Sequence, residues 1–114
     1  MIIEEKINGS VAIINLKGKM AGTCEAEELH DQVKSLLDNS TNQIVLNLQN
    51  VHWIGSLCIG ALMREIISAR QKSGDVYLAS PSQKVQRLFQ ITKLEGVVNI
   101  YPSVEEAVAA FNKN

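Results

Sequence analysis

Residues 43–63, QIVLNLQNVHWIGSLCIGALM, change their hydrophobic period at a single point. QIVLNL (43–48) is dense in apolar residues and reads as a central strand buried on both faces of a sheet. Val51 and Trp53 continue an alternating strand on one face, which predicts the tryptophan as core filling beside Val51. Beyond Gly55-Ser56 the spacing becomes helical: Ile59, Leu62, Met63, Ile66 and Ile67 form one stripe through SLCIGALMREIISARQKSG, and Gly74 is the expected C-terminal stop. The corner therefore joins a strand to a helix, with a hydroxyl at the junction. Ser56 is expected to cap that helix by accepting a hydrogen bond from the amide of Cys58 or Ile59. The same position exposes the hydroxyl at a positive helix end, where an added phosphate is held by free amides and the helix dipole.

Working outward, IIEEKI (2–7) and SVAIINLK (10–17) flank Asn8-Gly9 and read as an antiparallel hairpin. GTCEAEELHDQVKSLLDN (22–39) repeats apolar residues at Ala26, Leu29, Val33, Leu36 and Leu37 and reads as a helix capped by Thr23, with Glu25, Glu27 and Glu28 complementing its dipole. DVYLAS (75–80) is a strand. SPSQKVQRLFQIT (80–92) is a helix opened by Pro81, VVNI (97–100) a last short strand, and SVEEAVAAF (103–111) a helix with Ser103 and Glu106 in capping-box spacing. The order ββαβαβαβα predicts one α/β domain over residues 1–114, a mixed and largely parallel sheet covered by amphipathic helices. Ligands and partners of such folds meet the loops at the carboxyl ends of the strands. Gly55-Ser56 is one of those loops, and GKMAGT (18–23) is another.

Eleven basic residues against twelve acidic ones give a formal charge of −1, which offers no field for nucleic acid or anionic lipid. No apolar run approaches the roughly 20 residues that cross a bilayer, and MIIEEKING has neither the basic nor the apolar region of a signal peptide, so a cytoplasmic protein is expected. Cys24 and Cys58 lack metal-ligand spacing, and no metal or cofactor is expected. An enzyme is not expected either. WIGSLC departs from the G-x-S-x-G elbow because Gly55 immediately precedes Ser56 and Cys58 stands where the second glycine belongs. His30 and His52 are the only histidines, one in mid-helix and one three residues before the corner, and there is neither a P-loop nor G-x-G-x-x-G. A redox role would rest on Cys24 and Cys58 both lying at positive helix ends that lower thiol pKa; against it, free cysteines usually serve as small buried apolar residues.

VAIINLKGKM, IVLNLQNVHWIGSLCIGAL and GDVYLASPSQKVQRLFQITKLEGVVNIYPSVEEAVAAF together cover most of the chain and resemble the STAS domain family, specifically its bacterial anti-sigma-factor antagonists. The last segment carries S-x-x-V-x-R-L-F-x-x-x-x-L and a terminal S-x-E-E-A. The family's signature loop reads approximately D-S-S-G-L-G, and its first serine is phosphorylated by a partner that is both anti-sigma factor and serine kinase. The resemblance implies that Ser56 is the phosphorylated residue and Gly60 the second glycine. It further implies that the unphosphorylated chain binds the kinase to release a sigma factor, and that phosphorylation breaks the complex. Gly55 occupies the family's aspartate position, Leu57 the second serine and Cys58 the first glycine; Ala21 stands near a family aspartate and Asn47 at an acidic position. The missing aspartate removes a carboxylate that could orient the hydroxyl. Leu57, Ala61, Arg64, Glu65 and Ser68 fall off the apolar stripe and form a mixed face contiguous with Ser56. Gly55, Ser56, Leu57, Ala61, Arg64 and Ser68 are accordingly the expected partner-binding residues, with Arg64 facing an acidic group. The alternative is a STAS module that binds without phosphorylation, as a scaffold or a transporter-associated subunit.

Overall fold

The computed structural model describes residues 1–113. The elements follow the predicted order: β1 (Ile2–Asn8), β2 (Val11–Met20), α1 (Thr23–Asp38), β3 (Gln43–Ile54), α2 (Ser56–Gln71), β4 (Asp75–Ala79), α3 (Gln83–Ile91), β5 (Ile100–Tyr101) and α4 (Val104–Asn112). The strands stand in the sheet in chain order; β1 runs antiparallel to β2 and the remaining neighbours are parallel. With sequential strand order and right-handed crossovers, successive connecting helices fall on the same face. Residues of α1, α2 and α3 accordingly share one large core with Ile14, Leu16, Ile44, Leu46, Leu48 and Leu78. Helix α4 follows the last strand and packs on the other face over Val11, Ile13, Val45 and Ala79, where the Phe111 ring stacks on Tyr77 with centroids 3.8 Å apart. The apolar density of QIVLNL is explained: Val45 serves the second core while its even-numbered neighbours serve the first.

Four local expectations need correction. The hairpin turn is Gly9-Ser10 rather than Asn8-Gly9, since Asn8 already pairs with Val11; Gly9 supplies the positive φ of +63° at the first turn position. The last strand is Ile100–Tyr101, and Val98 instead turns into the main core. Gly74 does not end α2 through a positive φ; Ser73 takes that conformation at +64°. Trp53 is not core. Its partners on β2 show two bulges in β3, with Asn47 to Asn50 spanning Asn15 to Lys17 and Val51 to Trp53 spanning Gly18 to Lys19. Each bulge inserts one residue and reverses which parity faces inward. The buried series is therefore Ile44, Leu46, Leu48, Val51, Ile54, and Trp53 turns out to 37% exposure, with the Lys84 ammonium 5.3 Å from its ring centroid.

Candidate functional site

The bulges also let β3 run past the end of β4, so the Gly55-Ser56 corner meets the β2–α1 loop. The Gly55 amide donates to the Met20 carbonyl at 2.7 Å, and the Cys58 thiol lies 3.6 Å from the Gly22 carbonyl. These contacts bring the first turns of α1 and α2 side by side. Between them lies a groove of about 310 Å³ lined by Thr23, Ala26, Glu27, Leu57, Gly60, Ala61 and Arg64.

Both helices begin one residue earlier than capping rules place them. Gly22 and Gly55 are the N-caps, Thr23 and Ser56 stand at the first helical position, and neither cap has a side-chain hydrogen bond. The Ile59 amide bonds instead to the Gly55 carbonyl at 3.0 Å. Ser56 is thus exposed without serving as the expected cap. By contrast Ser103 behaves as predicted, accepting from the Glu106 amide at 3.1 Å, and Ser82 caps α3 through the Val85 amide. Ser56→Ala should accordingly change unfolding free energy by less than about 0.5 kcal/mol, against the ~1 kcal/mol of a lost cap. Urea denaturation distinguishes the two.

The expected binding residues separate into groups. Ser56 and Leu57 project outward, Leu57 with 61% of its surface exposed, while Gly55 is half-buried against Ala21. Arg64 lies on the groove with 53% of its side chain exposed. Ala61 is buried and forms the groove floor. Ser68 stands about two turns beyond Ala61 and lines a different crevice with His30 and Lys34. Glu65, read as part of the exposed face, is the one buried charged residue among the described residues; its Oε1 lies 2.8 Å from His30 Nδ1 on α1. The expected α2 stripe contains large residues alone. The buried set is Cys58, Ala61, Leu62, Glu65, Ile66 and Ala69, whereas Ile67 is exposed. Counting Cys58, Ala61 and Ala69 as core positions places Glu65 inward at i+7, i+4 and i−4, a signal available in the sequence.

The two thiols differ in their surroundings, and only Cys58 fits the buried apolar role expected of a free cysteine. Cys58 is buried, and desolvation pushes its thiol above the ordinary cysteine value, reinforced by Glu25 and only partly offset by the Gly22 carbonyl contact. Cys24 is exposed. Thiol titration of the native protein should show one fast thiol at Cys24 and one at Cys58 that reacts only on unfolding; two fast thiols would mean that the α2 start opens readily. Among the described residues no cluster of three metal-ligating side chains occurs, and no helix is long and apolar enough to cross a membrane.

The STAS domain family model matches residues 3–107. A protein of Thermotoga maritima that bears the provisional name of anti-sigma factor antagonist is 33% identical over 72 residues, 63% of this chain and 64% of that protein. The chain thus spans just under two thirds of that relative's length in the alignment. A crystal structure of a Thermotoga maritima protein bearing the same provisional name superposes with a TM-score of 0.85 at 28% identity, covering 95% of this chain and 92% of the other. The anti-sigma-B factor antagonist of Staphylococcus aureus is 26% identical over 78 residues, 68% of this chain and 72% of that protein. The anti-sigma factor antagonist SpoIIAA in its unphosphorylated form, from Bacillus, shares the fold with a TM-score of 0.84 at 17% identity, covering 99% and 98% of the two chains.

Proposed function

Because the chain belongs to the STAS domain family, we propose that it is an anti-sigma-factor antagonist that works in the cytoplasm by binding rather than catalysis. It docks an anti-sigma factor with serine kinase activity and is released when that kinase phosphorylates Ser56. Relatives named as anti-sigma factor antagonists support the binding role, and SpoIIAA has also been solved in a phosphorylated form. The observation that carries the proposal for this chain is the Ser56 hydroxyl: exposed at the first position of α2, not used as the cap, and beside an exposed leucine and an open groove. A phosphate there meets the positive end of α2, whose own first turn contains no acidic residue, while Glu25 and Glu27 of α1 lie near the same corner and oppose it in part.

Gly60 adds a second line of support. It sits inside α2 on the groove, and a Cβ built on it meets nothing within 4 Å. Glycine in a helix interior costs roughly 0.5–1 kcal/mol relative to alanine, and no contact within the chain requires it. A partner approaching closely at this point does. Gly60→Ala should therefore stabilise the free domain by about 0.5–1 kcal/mol and weaken the complex; stabilisation with unchanged affinity by calorimetry would place the interface elsewhere.

The proposal is tested by incubating the chain with the cognate serine kinase and ATP and measuring intact mass. Phosphate on the wild type and its absence from Ser56→Ala are expected. The Gly55 position accepts the Cβ that the family aspartate requires, since a Cβ there meets Ala21 Cα at an ordinary 3.5 Å. Gly55→Asp should raise the extent of modification if the missing carboxylate limits it. No phosphate on either protein would leave the phosphorylation-independent binding module as the reading.

A further inference from the structure

Glu65 sits in mid-α2 with 1% of its surface exposed, and the docking role described above does not use it. Its Oε1 is engaged by His30, but Oε2 is fully enclosed without a hydrogen-bond partner. Arg64 Nε approaches Oε2 at 3.5 Å, within ion-pair range but too long for a good hydrogen bond. A buried carboxylate is unfavourable unless its oxygens find donors, and an apolar residue of similar volume would pack the position at lower cost. What the carboxylate holds accounts for its presence.

We propose that Glu65 is a positioning residue for Arg64, holding the guanidinium by its Nε edge so that the two terminal nitrogens face a carboxylate of the docking partner. This deepens the docking role and takes its functional meaning from it. Arginine presents its donors in a rigid planar fork, and a carboxylate met by both terminal nitrogens is bound in two places. Leu57, Ala61 and Arg64 line the same groove, so the matching partner segment carries an acidic side chain next to an apolar one. Glu27 lines the groove as well and would otherwise draw Arg64 across it, closing the site internally. The Glu65 carboxylate competes for that cation from beneath. His30 fixes the carboxylate in turn: it stands one helical turn past Ala26, as Glu65 stands one turn past Ala61, so the pair ties α1 to α2 directly beyond the groove. The neighbouring Lys34 is committed to Asp38 at 2.8 Å and leaves Arg64 as the cation within ion-pair range of Oε2.

The chain has three arginines, at 64, 70 and 87, so its arginine Nε–H resonances are few enough to assign by Arg64→Lys. In proton-exchange NMR of the full chain, Glu65→Gln should speed water exchange of the Arg64 Nε–H by about threefold, the effect of removing the negative charge of an ion pair whose cation is half exposed. The Arg70 signal, held by Asp75, serves as the internal control. The double variant His30→Leu with Glu65→Met should give the same acceleration while keeping the midpoint of thermal unfolding, because apolar residues replace both partners of the buried pair; it also carries the comparison if Glu65→Gln does not fold. Unchanged Arg64 exchange in the folded variants overturns the proposal. A second arm uses the serine-kinase anti-sigma factor: Glu65→Gln should weaken its binding in the wild-type background and have no effect in Arg64→Gln. If that kinase fails to bind the wild type, the docking role fails while the NMR result still decides whether Glu65 positions Arg64.

Discussion

Gly74→Ala should destabilise the domain by about 3 kcal/mol or more, the upper range for forcing an added methyl into a packed site. A Cβ at Gly74 would lie 1.9 Å from the Asn42 carbonyl oxygen and 2.6 Å from the carbonyl carbon. Those are backbone atoms, and they are not free to withdraw. The Asn42 carbonyl accepts from the Asp75 amide at 3.0 Å, while its side-chain amide donates to the Lys72 carbonyl at 2.9 Å. Retreat of Asn42 would separate Gln43 from Asp75, the first pair of the β3–β4 ladder. Ser73 nearby already accepts a positive φ, so the requirement for glycine at 74 comes from close approach and not from backbone conformation. Chemical denaturation measures the effect; a loss under about 1 kcal/mol would mean that the β3 start can shift at little cost.

Ser56→Asp should weaken partner binding by about a hundredfold or more, close to 2.7 kcal/mol at 1.36 kcal/mol per tenfold change. The unfolding free energy of the free domain should change by less than about 0.5 kcal/mol. The two effects diverge because the residue has different surroundings in the two states. In the free domain a carboxylate at the first helical position is hydrated and favourably aligned with the dipole. In the proposed complex it must shed water beside the exposed Leu57, and it would face the acidic partner group proposed for Arg64. Calorimetric titration paired with thermal unfolding reads both quantities. A destabilised free domain would show that Ser56 has a structural role the geometry does not reveal, and full affinity would remove charge at this corner as the means of release.

The element order and parallel pairing were readable because they depend on short-range periodicity and on a general rule of handedness. Alternation and helical stripes in 114 residues leave few ways to bury every apolar face, and right-handed crossovers select among them. The strand-to-helix corner, its exposed serine and the groove-side Arg64 were equally accessible, since a change of hydrophobic period marks the corner and helical phase marks the face.

Errors arose where one residue decides direction. The two bulges in β3 are set by its pairing with β2, and without that register the alternation through Val51 points Trp53 inward. The caps shifted by one residue because glycine at 22 and 55 can start a helix without a side-chain bond, leaving Thr23 and Ser56 inside the first turn. Ala61 and Glu65 look external by size and charge, yet α1 lies close enough to bury both. The sequence by itself determined the fold class, the order of the elements and the position of the candidate switch, because local hydrophobic patterning specifies which surfaces must be buried. Only the tertiary structure decided which side chains turn inward at the bulges, that Ser56 is free of a capping bond and that Glu65 reaches His30, because those outcomes depend on strand register and interhelical distance between residues more than 30 positions apart in the chain.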